Sequence, residues 1–177
     1  KKCSWFKRVW TIHYWLGEIR LTNFKVLIVI SKYYKEISDN LLNSAITYLK
    51  SKYVNFDILE VPGALEIPQA INLQVKNMNC PEFNYDGYIC LGCVIRGETY
   101  HFEIVSNESN RALMNVAINN CIPIGNGIIT TYNYEQALKR SFEKGNEASK
   151  ACLELIKIHN TSNTVDQVWL IILGINQ

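Results

Sequence analysis

The sequence predicts an α/β fold, a three-layer α/β/α sandwich around a four-stranded, mainly parallel sheet. Two observations predict it. Short apolar runs alternate with longer segments whose apolar residues have helical spacing, which is the pattern of β-α units with parallel strands. The first run, FKVLIVIS, is continuously apolar, as expected of a strand buried on both faces. Helices are therefore expected on both sides of the sheet.

The amino-terminal half of the pattern supplies two strands and two helices. Strands are predicted at 24–31 and 56–61, with a helix at 35–49 between them. The core positions of that helix are predicted to be Ile37, Leu41, Leu42, Ala45, Ile46 and Leu49. A second helix begins in VPGALEIPQAINLQV, because Pro62 suits a helix N-terminus and Pro68 is tolerated in the first turns.

The carboxyl-terminal half repeats the pattern. Strands are predicted in DGYICLGCVI and IPIGNGIIT, and helices at 101–119 and 134–159. The core positions of the last helix are predicted to be Ala137, Leu138, Ala148, Cys152, Leu155 and Ile156. Right-handed crossovers place every strand-to-helix loop at one edge of the sheet, where open α/β sheets bind their ligands.

The two ends of the chain fall outside this pattern. Residues 1–23 carry three tryptophans among basic residues, but their apolar stretch is short, is broken by Thr11 and His13, and lacks a small-residue cleavage site, so we do not expect an export signal. Residues 160–177 are polar and then end in an apolar run too short to span a bilayer. This tail could be an added strand, a partner-binding segment or an unpacked end. The predicted domain is therefore 24–159, with an extension on each side.

Charge and cysteine usage limit the classes of function. The net charge of +2 is too small to indicate a nucleic-acid or membrane-surface partner. The six cysteines show no disulfide framework. Cys90 and Cys93 form a CxxC within a strand, where residues three apart face opposite sides, and no second CxxC completes a zinc site. We therefore expect reduced thiols, a cytoplasmic protein and no metal.

The ends of the predicted strands collect the residues that could carry chemistry. If all four loops share one edge, Tyr33, Glu66, Thr99, His101 and Asn126 converge there. The RGET turn before a helix leaves backbone N–H groups free to bind phosphate. A histidine that follows it could exchange protons near neutral pH. The sequence therefore predicts an anion site with a proton-transfer group beside it.

Taken singly, each of these features has a commonplace explanation. Tyr33 could be a half-buried aromatic, Glu66 a solvated carboxylate that favours the helix dipole, and His101 a residue without catalytic duty. Arg140 and Lys144, four residues apart, are typical of an exposed helix face. The RGET turn is far less specific than a P-loop. Only their joint order and spacing favours a functional interpretation.

That order carries a resemblance to a known family. VPGALEIP, LGCVIRGETYHFEIVSNES, PIGNGIITTYNYEQALKR and KGNEA occur in this order, and from about Phe24 to Ile158 the chain resembles the 6,7-dimethyl-8-ribityllumazine synthases. The resemblance implies a transferase of riboflavin biosynthesis that condenses 5-amino-6-(D-ribitylamino)uracil with 3,4-dihydroxy-2-butanone 4-phosphate, releasing phosphate and water. It also implies no cofactor, and active sites at the subunit interfaces of a homopentamer or a larger shell.

The resemblance assigns a role to each strand end. It implies that Tyr33 stacks on the pyrimidine ring and that His101 transfers protons. The residues implied to bind the ribityl chain are Ala64, Leu65 and Glu66. Those implied to border the pyrimidine edge are Cys93, Val94 and Ile95. Those implied to bind the phosphate are Gly97, Glu98 and Thr99.

Further residues are implied to act from a neighbouring subunit. Arg140 would reach the phosphate, with Lys144 nearby, and Asn126 would face the pyrimidine where many family members place an aromatic ring. Two other features depart from the family pattern. Leu65 replaces a frequent phenylalanine, and the segment 140–144 is shorter than the usual linker, which in this family affects how pentamers associate.

Two other functions are compatible with the same fold. One is a non-catalytic protein that binds a flavin-like ligand or serves as an assembly scaffold. The joint presence of Glu66, Thr99, His101 and Arg140 favours the enzyme instead. The other is a flavodoxin-like electron carrier, but its phosphate loop would follow the first strand, where SKYYKE offers no cradle rich in Gly, Ser or Thr.

Overall fold

Four strands and four helices alternate along the part of the chain that the computed structural model describes, namely the backbone of 24–76 and 84–173 and the side chains as far as 161. In chain order they are β1 (Lys25–Ser31), α1 (Lys35–Ser51), β2 (Asn55–Val61), α2 (Glu66–Lys76), β3 (Gly87–Ile95), α3 (His101–Asn119), β4 (Ile124–Thr131) and α4 (Tyr134–Leu173). The alternation predicted from the sequence is confirmed.

The strands form one parallel sheet in the order β2-β1-β3-β4. The two central strands are buried along nearly their whole length, as their continuous apolar sequences require. The edge strand β2 alternates polar and apolar residues and is half exposed, with Ile58 43% accessible. The predicted four-stranded sheet is therefore confirmed.

Alternate residues of the central strands point to opposite faces of the sheet and build two hydrophobic cores. Val26, Ile28 and Ile30 of β1 belong to the core that α1 and α4 cover. Leu27 and Val29 belong to the core that α2 and α3 cover. Helices thus lie on both faces, which is the predicted three-layer arrangement.

The same alternation separates the two cysteines of the CxxC. Cys90 lies in the core under α2 and α3, whereas Cys93 lies in the core under α1 and α4. Their predicted placement on opposite faces of β3 is confirmed, so the pair is not a redox centre of the thioredoxin kind.

Most of the predicted core positions are buried. The fully buried ones are Ile37, Leu41, Ala45, Leu49, Ala137, Ala148, Cys152 and Ile156. The partly buried ones are Leu42, Ile46 and Leu138. The prediction was wrong for Leu155, which is 42% exposed. The buried stripe in this part of α4 runs through Cys152 and Ile156, four residues apart, and Leu155 lies to one side of it.

Helix α4 extends beyond its predicted end. It was expected to stop at about 159, but its backbone stays helical as far as Leu173. Residues 160–173 contain no glycine or proline that would stop a helix, so the alternative of an added strand is wrong for this segment. The predicted extension 1–23 and the last four residues lie outside the described part of the chain. No helix among the described residues is both long and apolar enough to span a membrane.

Candidate active site

A cleft with a volume of ≈ 370 Å³ opens at the carboxyl edge of the sheet. Its walls come from the segments that follow β1, β2 and β3 and from the first turns of α2 and α3. The predicted site residues that line it are Tyr33, Ala64, Leu65, Glu66, Cys93, Val94, Ile95, Gly97, Thr99 and His101. The expectation that these three strand ends meet is therefore confirmed for the residues of one chain.

An aromatic pair follows β1 on one side of the cleft. The Tyr33 ring is 75% exposed and stands edge-on to the Tyr34 ring, with 5.0 Å between centroids. Burial raises the pKa of Tyr34, and Tyr33 and Cys93 raise it further, so its hydroxyl is protonated at neutral pH. Tyr33 thus offers a free aromatic face to a planar ligand.

A carboxylate stands at the start of α2. The backbone N–H of Glu66 donates to the carbonyl of Gly63 at 3.3 Å. A Cβ added at Gly63 would lie 2.7 Å from Oε2 of Glu66, so the glycine leaves the space that this carboxylate occupies. The carboxylate has no hydrogen-bond partner among the described residues. It is therefore available to accept hydrogen bonds from a ligand's hydroxyl groups.

The loop between β3 and α3 presents free donors. Tyr100, the N-cap of α3, makes no side-chain capping bond, so the first backbone N–H groups of the helix have no cap. A Cβ placed at Gly97 would meet nothing within 4 Å, which shows that the loop is open. Thr99 and His101 border the same end of the cleft. Uncapped N–H groups and a hydroxyl together suit an anion such as phosphate.

Histidine is the side-chain type best suited to proton transfer, and His101 is the histidine that borders the cleft. It is the first residue of α3, is exposed, and has no hydrogen-bond or ion-pair partner among the described residues. Cys93 on the floor of the cleft cannot take that role, because burial raises the pKa of its thiol to about 12. A thiol held in its neutral form is a poor nucleophile.

Five further cleft residues were not predicted: Ser31, Tyr34, Gly63, Phe102 and Val105. A sequence signal existed for some of them. Val105 lies four residues beyond His101, a spacing at which helical side chains share a face, and Phe102 lies three residues before Val105. Gly63 is the turn residue between a predicted strand and a predicted helix, and such glycines permit close approach.

Asn126 does not converge with the strand ends, and that expectation was wrong. It pairs with Cys90 in the register of β3 and β4, five residues before β4 ends at Thr131. Its Nδ2 donates to Oδ1 of Asn110 at 2.6 Å, and its Oδ1 accepts from the backbone N–H of Ile128 at 3.0 Å. The amide thus makes two hydrogen bonds within its own subunit.

The other three predicted residues also lie outside the lining of the cleft. Glu98 is in the loop but not among the lining residues. On α4, the Arg140 guanidinium is 3.4 Å from the Thr130 carbonyl, and Lys144 pairs with Glu147 at 2.9 Å. The prediction that Arg140, Lys144 and Asn126 act from a neighbouring subunit concerns a second chain and stays a prediction. Among the described residues, no group of three or more His, Cys, Asp or Glu side chains could hold a metal ion.

Comparison with known proteins gives this geometry a context. The family model for 6,7-dimethyl-8-ribityllumazine synthase matches residues 23–160. The chain is 48% identical over 137 residues to the 6,7-dimethyl-8-ribityllumazine synthase of Bartonella tribocorum, covering 75% of this chain and 88% of that protein. It is 46% identical to that of Agrobacterium fabrum, covering 75% and 93%, and 50% identical to that of Bartonella henselae, covering 75% and 86%.

Proposed function

The chain belongs to the 6,7-dimethyl-8-ribityllumazine synthase family, and we propose that the cleft at the carboxyl edge of its sheet is the active site. The family that the sequence motifs predicted is confirmed by the family model and by these relatives. The protein is a transferase of riboflavin biosynthesis. It condenses 5-amino-6-(D-ribitylamino)uracil with 3,4-dihydroxy-2-butanone 4-phosphate to the lumazine, releasing phosphate and water.

One observation carries the assignment of the site. The uncapped start of α3, with Gly97, Thr99 and His101, shares a cleft with the Glu66 carboxylate and the exposed face of Tyr33. Phosphate needs aimed N–H donors, a polyhydroxy chain needs an acceptor, and a planar pyrimidine needs an aromatic face. All three are present in one cleft of a size that suits small substrates.

The geometry suggests a division of roles. The phosphate of the butanone phosphate binds at the start of α3, the ribityl chain reaches Glu66, and the pyrimidine ring lies on Tyr33. Val94 and Ile95 border the ring, with Cys93 as a neutral part of the wall. Ala64 and Leu65 contribute mainly through their backbone, so the substitution of leucine for a frequent phenylalanine is tolerated.

Proton transfer in this arrangement belongs to His101. Imine formation between the amine and the ketone requires a proton to move from nitrogen to the departing water, and expulsion of phosphate requires loss of a C–H proton. An imidazole can both take and give these protons near neutral pH. The donors around Gly97 and Thr99 stabilise the departing phosphate. Because holding two substrates together supplies much of the acceleration, His101 assists the reaction without being indispensable.

We also place the complete site at a subunit interface, in a homopentamer or a multiple of it. Support comes from the exposed apolar side chains Ile104, Met114 and Ile118 along α3, which a partner chain could cover. Arg140 and Asn126 are absent from the cleft of their own chain and would complete that of a neighbour. A cytoplasmic location is part of the same proposal, since the cysteines of the described region are free thiols, as in a reducing compartment.

The decisive experiment incubates the protein with both substrates and follows the absorbance and fluorescence of the lumazine. We expect product without added metal and an unchanged rate in excess EDTA, because the described residues include no group of three or more His, Cys, Asp or Glu side chains that could hold a metal ion. Omission of the butanone phosphate is the control. Loss of activity on chelation that zinc or magnesium restores would contradict the metal-free mechanism. Ligand binding without turnover would favour the non-catalytic alternative.

A further inference from the structure

The loop at 96–100, which the proposed function makes the phosphate loop, is anchored through its first residue. The backbone N–H of Arg96 donates to the Thr131 carbonyl at 2.9 Å, just beyond the last paired residues of β3 and β4. Its guanidinium lies 3.1 Å from the carboxylate of Glu103 in the first turn of α3. The same guanidinium stands 5.6 Å from the ring centre of Tyr132. We call Arg96, Glu103 and Tyr132 the Arg96 clamp.

Tyr132 is itself held in place. Its backbone N–H donates to Oε1 of Gln136 at 3.1 Å, while the N–H of Gln136 donates to Oδ1 of Asn133 at 2.9 Å. This reciprocal arrangement resembles a capping box and fixes the entry to α4. The Tyr132 ring also packs beside Phe102, a cleft residue, with 6.4 Å between centroids. The clamp therefore joins the loop, the start of α3 and the end of β4.

The rest of the loop has few restraints. The described contacts of residues 97–99 include no hydrogen bond. The side chain of Tyr100, which occupies the N-cap position of α3, makes no capping hydrogen bond. Without the clamp, the N–H donors would sample many orientations, and ordering them on phosphate would cost conformational entropy. A loop held in its binding conformation avoids that cost.

We propose that Arg96 is a positioning residue, which orients the phosphate loop through Glu103 and Tyr132 instead of contacting phosphate itself. This inference rests on the proposed function, because it takes the loop to be the phosphate site. A simpler idea is that Arg96 attracts phosphate by its charge, and the two ideas predict opposite effects of a Glu103 substitution on phosphate affinity. If charge attraction dominated, removal of the Glu103 carboxylate would strengthen phosphate binding. If positioning dominates, the same change weakens it.

The test compares Arg96→Ala and Glu103→Gln with wild type, using inorganic phosphate as the probe in titration calorimetry and both substrates in steady-state assays. The matched control is Arg111→Ala, which removes another arginine of an exposed arginine–glutamate pair, with Glu108 on α3. Partly exposed ion pairs and cation–π contacts are individually weak, so we expect both clamp variants to raise the Kd for phosphate and the KM for butanone phosphate about threefold to tenfold. The KM for the ribitylaminouracil, the melting temperature and the control variant should not change.

Three results would count against the inference. If Glu103→Gln tightens phosphate binding while Arg96→Ala weakens it, Arg96 acts by direct charge attraction. If both clamp variants bind phosphate like wild type, the clamp does not position the loop. If wild type does not bind phosphate, or Thr99→Ala changes neither Kd nor KM, then the proposed phosphate site is wrong and this inference falls with it. Glu103→Gln changes few atoms, so the test stands even if Arg96→Ala fails to fold.

Discussion

The polar side chains of the cleft and those at the amino edge of the sheet have opposite environments. At the carboxyl edge, Glu66 and His101 have no partners among the described residues, and α3 starts without a side-chain cap. At the amino edge, the ammonium of Lys25 lies 2.8 Å from Asp57, the hydroxyl of Tyr85 donates to the same carboxylate at 2.9 Å, and the backbone N–H of Lys25 donates to Asp86 at 2.8 Å.

The electrostatics follow the contacts. Hydrogen bonds from Lys25 and then Tyr85 lower the pKa of Asp57 below its ordinary value. Burial, with a further contribution from Asp57, raises the pKa of Tyr85 to about 12. Partners at the amino edge stabilise the fold, whereas groups left without partners at the carboxyl edge remain available to substrates. Such sites commonly trade stability for activity. Substitutions at the two edges should therefore have separable effects.

The largest expected effect is on turnover. His101→Ala should lower kcat by about tenfold to a hundredfold, at or below the lower end for a general acid–base group, because positioning of the substrates persists. The melting temperature should stay at the wild-type value, since the side chain is exposed and has no described partner. Lumazine formation under saturating substrates measures the first quantity, and a thermal melt the second. A wild-type kcat would mean that His101 transfers no proton.

The next largest effect tests whether the carboxyl edge is completed by a second subunit. Arg140→Ala should raise the KM for butanone phosphate about tenfold, the loss expected for a hydrogen bond to a charged group. The neighbouring Lys139→Ala is the matched control and should leave KM unchanged. Native mass spectrometry should show pentamers, or multiples of them, for both variants.

Mixed assembly sharpens that test. Subunits carrying only Arg140→Ala and subunits carrying only His101→Ala, dissociated and reassembled together, should have a higher kcat/KM than either variant alone, measured with butanone phosphate below its KM, because some interfaces pair two intact halves. A fully active monomer, or no gain in activity on mixing, would show that each chain contains a complete active site.

The two edges also differ in how far the sequence predicted them. The central strands are continuously apolar, and their positions were predicted to within a residue or two. The cleft residues were predicted because family motifs coincide with the strand ends.

The error at Asn126 has a physical cause. GNG lies in the first half of β4 and not at its carboxyl end. A Cβ at Gly125 would come 2.0 Å from the Ala148 carbonyl, so this glycine serves close packing of α4 and not a turn. The pairing of Lys25, Asp57 and Tyr85 depends on contacts between distant segments, which periodicity cannot reveal.

A smaller effect should appear at the amino edge, and on stability alone. Asp57→Asn removes a carboxylate whose pKa is lower in the folded protein than in the unfolded chain. Its contribution to the free energy of unfolding is therefore fully present above the unfolded pKa near 4, and it is lost as the pH falls through the folded pKa. Because the pair is partly exposed, we expect a loss of about 1 kcal/mol or less in the free energy of unfolding at pH 7. The difference from wild type should shrink towards pH 3.

Urea unfolding at both pH values measures this difference, and the lumazine assay is the control. Activity at pH 7 should be unchanged, because Asp57 lies at the opposite edge from the cleft. A drop in kcat without a change in stability would break the separation of the two edges.

The smallest effect distinguishes two tyrosines at the amino edge. Tyr85 donates to Asp57, whereas the hydroxyl of Tyr88 is buried and has no hydrogen-bond partner among the residues that the structure describes. A buried polar group without a hydrogen-bond partner destabilises the folded state, whereas a hydrogen bond to a carboxylate stabilises it. Tyr85→Phe should therefore lower the free energy of unfolding by about 0.5 kcal/mol, and Tyr88→Phe should raise it or leave it unchanged. The aromatic rings stay in both variants, so ring packing cancels in the comparison.

Urea unfolding of the two single variants and the double variant measures this difference. A loss of stability in Tyr88→Phe as large as that in Tyr85→Phe would show that the Tyr88 hydroxyl is satisfied after all.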